Sequence, residues 1–335
     1  MKLGKVYVTR RIPDAGLNLI LERTDARVNP HDRVLTRREL LREVRGVDGL
    51  VPLLTDPIDV AVMDAAGPQL KVIANYAVGF NNIDVAAATA RKIPVTNTPG
   101  VLTETTADLA WALLMAVARR IVESDRFTRA GKFKGWGPMM FLGHDVHGKT
   151  LGVVGFGRIG QAAARRAAGF GMRILAFDPK PDEAAARGLG ARLVDLPTLL
   201  RESDFISLHT LLTPDTRHLI GEKELRSMKP TAILVNTSRG PVIDENALVK
   251  ALKSGWIGGA GLDVYEHEPR LAAGLTKQWN AVIVPHIASA TIETRGKMAE
   301  IAATNLIAVL EGKRPPNLVN PEVFATPAYS VRPPA

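Results

Sequence analysis

The sequence contains no cysteine among its 335 residues. This absence excludes disulfide bonds, cysteine-ligated zinc and thiol catalysis, and we expect no bound metal. Long apolar runs are also missing: the longest, at residues 110–118, is far too short to span a bilayer. The opening residues lead into a short strand pattern and not into an apolar signal core. We therefore expect a cytoplasmic protein with no membrane partner.

Basic clusters are missing as well, although the formal net charge is +9. No run exceeds two adjacent lysine or arginine residues, and no platform of interleaved aromatic and basic side chains is present. This pattern is typical of solvated basic surfaces and predicts no nucleic-acid partner. A positive field can still raise the encounter rate of a small anionic substrate.

Short apolar segments alternate with helical patterns along the whole chain. Predicted strands occupy residues 5–9, 49–54, 71–75, 151–154, 173–177, 192–194, 205–208, 232–236, 259–262 and 282–284. Predicted helices include residues 36–45, 59–66, 103–128, 161–170, 244–253 and 291–311. Such alternation indicates an α/β fold with doubly wound parallel sheets.

The chain length suggests two domains, and the last predicted helix is placed to return the chain to the first of them. We therefore predict a discontinuous substrate domain formed by residues 1–98 and 288–335. Residues 99–287 are predicted to form a dinucleotide-binding domain. Both domains are expected to be Rossmann-like or flavodoxin-like, with a cleft between them.

A glycine cluster near the middle of the chain carries the clearest functional signal. Between a predicted strand and a predicted helix stand Gly155, Phe156, Gly157, Arg158, Ile159 and Gly160. In a dinucleotide-binding turn the first glycine permits the tight bend, the second lets the backbone approach the pyrophosphate, and the third lets helix and strand pack closely. The helix N-terminus adds free N–H groups and partial positive charge. The cluster therefore predicts a dinucleotide site.

Asp178 ends the next predicted strand and lies 18 residues beyond Gly160. This is near the spacing of about 20 at which an acidic residue binds the ribose hydroxyls of NAD. The carboxylate would repel the 2′-phosphate of NADP, although Lys180 and Arg158 can partly compensate. We predict a preference for NAD(H), with NADP(H) as the alternative, and place Pro179 and Lys180 in the cofactor site.

Three polar loops follow apolar strands in the second half of the chain, at residues 236–240, 263–269 and 285–288. Ligands bind outside the carboxyl ends of strands in open α/β sheets. Arg239, Glu268 and His286 lie in these loops, and we expect the loops to converge on one cleft.

On these and further motifs the sequence resembles the D-isomer-specific 2-hydroxyacid dehydrogenases over nearly its whole length. The motifs are residues 78–84, 97–101, 155–160, 236–240, 261–264 with 268–269, and 285–287. Within the family the chain is most similar to the glyoxylate/hydroxypyruvate reductases, notably at residues 102–108 and 135–136. The resemblance implies a catalytic set of Arg239, Glu268 and His286.

The chemistry of these three side chains agrees with that implication. Reduction of a 2-oxo acid needs a hydride on the carbonyl carbon and a proton on the oxygen, and an imidazolium at His286 can supply the proton. Glu268 would orient the ring and favour its charged form, while Arg239 would hold the substrate carboxylate. Glu266 competes with Glu268 for the acid role, but the Glu-Pro context favours Glu268. His267 is interpreted as a solvated neighbour.

The resemblance also implies further contacts with cofactor and substrate. Residues expected beside the cofactor, mainly on its nicotinamide side, are Thr106, Thr237, Ser238, Asp263 and Ala288. Residues expected to contact the substrate are Leu53, Leu54, Val78, Gly79, Arg239 and Trp136. In this family the turn at Val78 and Gly79 donates backbone N–H groups to the substrate carboxylate.

These features favour an oxidoreductase that reduces a small 2-oxo acid such as glyoxylate or hydroxypyruvate. A D-lactate-type dehydrogenase and a non-catalytic, dinucleotide-sensing corepressor-like protein are the alternatives. The resemblance further implies a homodimer whose interface is formed mostly by residues 107–147. Trp136 would then either reach the partner's site or pack in the interface.

Overall fold

The computed structural model describes residues 2–325, so Met1 and the last ten residues of the predicted substrate domain lie outside the described part. The chain is divided into two compact units. One holds the described residues up to Leu102 and those from Ala290 onward, and the other is Thr103–Ser289. Each contains one parallel sheet with helices between its strands, which confirms the predicted α/β class.

The first unit begins with five strands and four helices in strict alternation. They are β1 (Lys5–Val8), α1 (Asp14–Arg23), β2 (Asp25–Val28), α2 (Arg37–Glu43), β3 (Gly49–Val51), α3 (Val60–Ala66), β4 (Val72–Ala74), α4 (Val85–Ala90) and β5 (Val95–Thr96). The strand order is β2-β1-β3-β4-β5, and all pairs are parallel. The sequence prediction omits the edge strands β2 and β5, because β2 alternates charged residues with short apolar ones and β5 has only two residues.

The second unit holds seven strands and seven helices. They are α5 (Thr103–Ala118), α6 (Ile121–Arg129), β6 (Thr150–Val154), α7 (Arg158–Ala167), β7 (Arg173–Phe177), α8 (Glu183–Gly188), β8 (Ala191–Leu193), α9 (Leu196–Glu202), β9 (Phe205–Leu208), α10 (Glu222–Ser227), β10 (Ile233–Asn236), α11 (Glu245–Ser254), β11 (Gly259–Leu262) and β12 (Ala281–Ile283). The parallel order β12-β11-β10-β9-β6-β7-β8 makes β6 the strand at which the direction of winding reverses. Such switch points are where open α/β sheets bind ligands.

The chain returns to the first unit through α12 (Ile292–Leu310). This helix packs on α1, and Gly16 permits the contact because a Cβ there would lie 2.1 Å from the carbonyl oxygen of Ala299. A short 3-10 helix at Pro321–Ala325 follows. Among residues 2–325, no helix combines the length and the apolar character needed to cross a membrane.

Both sheets are covered on their two faces. On β10, Leu234 belongs to one apolar cluster, whereas Ile233 and Val235 belong to another. On β1, Tyr7 belongs to one apolar cluster, and its neighbours Val6 and Val8 belong to another. Successive side chains of a strand point to opposite faces, so both faces lie under helices.

The predicted single helix at residues 103–128 is wrong, because α5 and α6 are separate. Arg120 adopts a left-handed backbone with φ of 54° between them, which interrupts the helical path. Its guanidinium pairs with Glu123 at 2.6 Å and lies 5.3 and 4.9 Å from the ring centroids of Phe141 and Trp279. These contacts offset the backbone strain, which is of order 1 to 3 kcal/mol.

Candidate active site

The glycine turn joins β6 to α7 at the switch point. Gly155 has φ of +90°, and a Cβ there would lie 2.7 Å from the backbone of His209. At Gly160 a Cβ would lie 2.0 Å from the carbonyl oxygen of Gly155. These two positions need glycine for the protein's own packing. At Gly157 a Cβ would meet no described atom within 4 Å, so this side of the turn is open to a ligand.

Other atoms around the turn fit a dinucleotide. Among the described residues, three buried polar atoms at the ends of β9 and β10 have no hydrogen-bond partner: His209 Nδ1, Thr210 Oγ1 and Thr237 Oγ1. Buried polar atoms are normally paired, so these await a partner that the chain does not provide. Asp178 accepts hydrogen bonds from the N–H groups of Phe156 and Lys180, both at 2.8 Å. Each of its oxygens keeps a second lone pair for a ribose hydroxyl.

His209 is a candidate site residue beside the glycine turn that the sequence interpretation missed. Its Nε2 lies 2.8 Å from Ser207 Oγ, and burial of the ring lowers the pKa of His209 to about 4. The imidazole is therefore neutral at physiological pH. The available signal was the polar pair His209-Thr210 directly after an apolar strand, the same pattern that identified the other three loops.

Arg239 lies in the loop after β10, whose shape is set by buried Asn236. The amide oxygen of Asn236 accepts from the Ser238 N–H at 3.0 Å and from Ser238 Oγ at 2.8 Å, and its Nδ2 donates to the Arg239 carbonyl at 3.0 Å. Gly240 brings this loop against the next one, since a Cβ there would lie 1.9 Å from the Tyr265 backbone. Burial lowers the pKa of Arg239, while the negative charge of Glu268 raises it.

His286 follows β12 and has a left-handed backbone with φ of 53°. Its N–H donates to the carbonyls of Asp263 at 2.9 Å and Val284 at 3.1 Å. The Asp263 carboxylate, which is fully buried, accepts from the N–H groups of Ile287 at 2.6 Å and Ala288 at 2.9 Å. A left-handed non-glycine residue costs of order 1 to 3 kcal/mol, and these four hydrogen bonds hold the strained turn in place.

The structure brings Glu268, and not Glu266, to His286. Glu268 Oε2 lies 3.0 Å from His286 Nδ1, and its Oε1 accepts from the Tyr265 N–H at 3.1 Å. Burial favours a raised pKa for Glu268, but the hydrogen bond and charge of His286, the Tyr265 N–H and the charge of Arg239 together hold it below its usual value. Glu266 instead pairs with Arg217 at 3.1 Å and His218 at 2.7 Å, and His267 is exposed.

The other predicted residues of this unit have different surroundings. Thr106 in the first turn of α5 is buried, as are Thr237, Ser238 and Ala288. Trp136 lies in the loop after α6 with 83% of its surface exposed, far from the burial expected of a ring that packs within its own chain.

The predicted substrate residues of the first unit lie in two loops, which are held by hydrogen bonds from asparagine side chains. Asn82 Nδ2 donates to the carbonyls of Leu53 at 3.1 Å and Asp56 at 3.2 Å. Asn97 Nδ2 donates to the Val78 carbonyl at 2.8 Å, and Asn75 Nδ2 donates to the Gly79 carbonyl at 2.9 Å. The bonds from Asn75 and Asn97 fix the turn at Val78 and Gly79. The bonds from Asn82 tie the loop of Leu53 and Leu54 to the loop that contains this turn.

Comparison with known proteins agrees with these features. The model for the NAD binding domain of D-isomer specific 2-hydroxyacid dehydrogenases matches residues 111–288. The glyoxylate reductase of Thermococcus litoralis is 56% identical over 326 residues, which cover 96% of this chain and 98% of that protein.

Two solved structures extend the comparison. The TT0316 protein of Thermus thermophilus has a TM-score of 0.88 and 49% identity, covering 94% of this chain and 99% of its own. The NADPH-dependent glyoxylate/hydroxypyruvate reductase of Sinorhizobium meliloti, in complex with NADP and malonate, has a TM-score of 0.83 and 33% identity, covering 94% and 96%. The chain therefore belongs to the D-isomer specific 2-hydroxyacid dehydrogenases and is an NAD(P)-dependent enzyme of that family.

Proposed function

We propose that this enzyme reduces a small 2-oxo acid, glyoxylate or hydroxypyruvate, to the 2-hydroxy acid with NADH. The observation that carries the proposal is the pairing of His286 with Glu268 at 3.0 Å, at the same sheet edge as the glycine turn. A histidine whose Nδ1 is held by a carboxylate presents Nε2 as a proton donor. The relatives named glyoxylate reductase support the choice of substrate class.

Each of the three side chains has one task in this reaction. NADH, when bound, supplies the hydride for the carbonyl carbon. His286 donates a proton from Nε2 to the carbonyl oxygen, and Glu268 stabilises the imidazolium before that transfer. Arg239 binds the substrate carboxylate and polarises the carbonyl. In the oxidative direction His286 accepts the proton.

We assign the preference for NADH to Asp178. Its carboxylate is fixed by the N–H groups of Phe156 and Lys180, and at close range it repels a 2′-phosphate. The Asp178→Ser variant should lose most of this discrimination, so the ratio of kcat/KM for NADH to that for NADPH should fall at least tenfold. An unsubstituted enzyme that prefers NADPH would contradict the assignment and point to Lys180 or Arg158 as phosphate ligands.

We infer that the substrate contacts of the first unit come from Leu53, Leu54, Val78 and Gly79. Two leucines form an apolar wall, and the backbone turn offers N–H groups to a carboxylate. Comparison of glyoxylate, hydroxypyruvate and pyruvate as substrates tests the inference. Preference for pyruvate would favour a D-lactate-type specificity, and absence of turnover with every 2-oxo acid would favour a dinucleotide sensor.

We also propose that the enzyme is a homodimer. The segment around α6 and the following loop exposes Ile121, Phe133, Trp136, Met139 and Leu142, and exposed apolar patches of this kind mark protein interfaces. Trp136 would then contribute to the substrate site of the partner. Light scattering on the intact protein should give twice the chain mass, and Trp136→Ala should raise KM for glyoxylate; a monomer with full activity would contradict both statements.

A further inference from the structure

Glu245 is a buried carboxylate outside the catalytic set. It is the first residue of α11 and is only 5% exposed. Its Oε2 accepts from the Glu266 N–H and its Oε1 from the Ala272 N–H, both at 2.8 Å. The two donors belong to the loop between β11 and β12, on either side of Glu268.

Around Glu268, the loop that Glu245 binds has little apolar packing. His267, Pro269 and Arg270 are exposed, so apolar packing does not locate this stretch. A loop without buried side chains is positioned by the hydrogen bonds of its backbone. Two bonds from one rigid carboxylate fix both the place and the tilt of the loop, whereas a single bond would leave it free to pivot.

We propose that Glu245 is a positioning residue, which holds the loop so that the Glu268 carboxylate stays within hydrogen-bond reach of His286. This inference rests on the proposed function, in which that pair delivers the proton. Catalytic groups must be held within about 0.5 Å of their working geometry by surrounding hydrogen bonds. Charged-acceptor hydrogen bonds are also the stronger kind.

The test substitutes Glu245→Gln and Glu245→Asp. In the glutamine variant an amide NH₂ faces one of the two N–H donors, so one bond becomes a donor–donor contact. In the aspartate variant the arm is one methylene shorter and cannot reach both donors. Glu224→Gln is the matched control, since Glu224 Oε2 accepts from the Gly221 N–H at 3.1 Å at the start of α10 and touches no catalytic loop.

With glyoxylate and NADH, both Glu245 variants should lose about tenfold in kcat, because small displacements of a catalytic group are costly, while KM stays within about twofold. The alkaline limb of the pH–rate profile should move to lower pH, since the imidazolium loses part of its counter-charge. The charged groups near His286 are Glu268, Asp263 and, beyond Glu268, Arg239. Neither variant alters Asp263 or Arg239, so a shift of the alkaline limb reports on the position of the Glu268 carboxylate.

NADH affinity and the thermal unfolding midpoint of each variant complete the test. Retained folding and NADH binding, with lower kcat and the shifted profile, support the positioning role. Unchanged kcat and pH profile in both variants contradict it, and so does failure of both variants to fold, which would make Glu245 a requirement of the fold. Absence of turnover in the unsubstituted enzyme contradicts the proposed function instead.

Discussion

Two neighbouring glutamates in one loop have separate partners. Glu268 is hydrogen-bonded to His286, while Glu266 pairs with Arg217 and His218. Position in the chain alone does not predict which glutamate binds His286, because both residues lie close to the end of β11. The backbone of the loop after Tyr265 decides which carboxylate faces the imidazole.

Glu268→Gln should therefore impair the reaction much more than Glu266→Gln. The glutamine at 268 can still accept from Nδ1 but cannot stabilise the imidazolium by charge. We expect kcat for glyoxylate reduction to fall about ten- to hundredfold, with the alkaline limb of the profile moved to lower pH. Steady-state kinetics across pH 5–9 measure both effects, and equal losses in the two variants would contradict the assignment.

His209 should make the stability of the cofactor-free enzyme depend on pH. Its pKa is lowered from 6.5 to about 4 in the folded chain by burial. The unfolded chain therefore binds an extra proton between these values, and folding stability falls as the pH falls through this window. Relative to His209→Asn, the unsubstituted protein should lose roughly 1 to 2 kcal/mol more of its unfolding free energy between pH 6.5 and 5.

Urea unfolding at a series of pH values gives this comparison. Carboxyl groups titrate alike in both proteins, so the difference between the two curves isolates His209. Parallel curves would show that His209 titrates equally in the folded and unfolded states.

At the scale of the element, two glycines of the turn from β6 to α7 have different roles: Gly160 is needed for packing, and Gly157 is expected to contact the cofactor. Gly160→Ala forces a Cβ into the backbone of Gly155, so we expect a lower thermal unfolding midpoint together with weaker NADH binding. Gly157→Ala meets open space, so the unfolding midpoint should stay within about 2 °C while the Kd for NADH rises at least tenfold. Scanning calorimetry and fluorescence titration measure the two quantities, and a stable Gly157→Ala with unchanged Kd would contradict the placement of the pyrophosphate.

Most strands could be predicted from the sequence because they are apolar runs bounded by polar residues. The pattern predicts all of the described strands except the short edge strands β2 and β5, apart from small differences at strand ends. The break between α5 and α6 could not be predicted, because Arg120 is neither glycine nor proline and its conformation depends on Phe141 and Trp279, which are distant in sequence. The glycine turn and the three polar loops were predicted from their position after strands.

The supporting contacts of the site are harder to predict. Asp263 and Glu245 bind backbone N–H groups in loops that follow them by more than 20 residues, and nothing in their local sequence indicates these partners. His209 differs from these two residues, because its position after an apolar strand was a local signal, but its place beside the glycine turn comes from the pairing of β9 with β6. Long-range pairing therefore determines which polar residues belong to the site.

At the scale of the whole molecule, the formal charge of +9 should assist an anionic substrate. The screening length falls from about 30 Å at 0.01 M salt to about 8 Å at 0.15 M. We expect kcat/KM for glyoxylate to fall several-fold over this range, with kcat unchanged. A decline that continues in proportion to salt above 0.15 M would indicate competition by the anion and not screening.

The central claim is that His286 protonates a 2-oxo acid while NADH is oxidised. Its most direct test is the decrease in absorbance at 340 nm with glyoxylate and NADH, for the unsubstituted enzyme and His286→Asn side by side. The account predicts turnover by the unsubstituted enzyme and a loss of about 10²- to 10⁴-fold in kcat for the variant, with NADH still bound. Undiminished turnover by His286→Asn, or none by the unsubstituted enzyme, would contradict it.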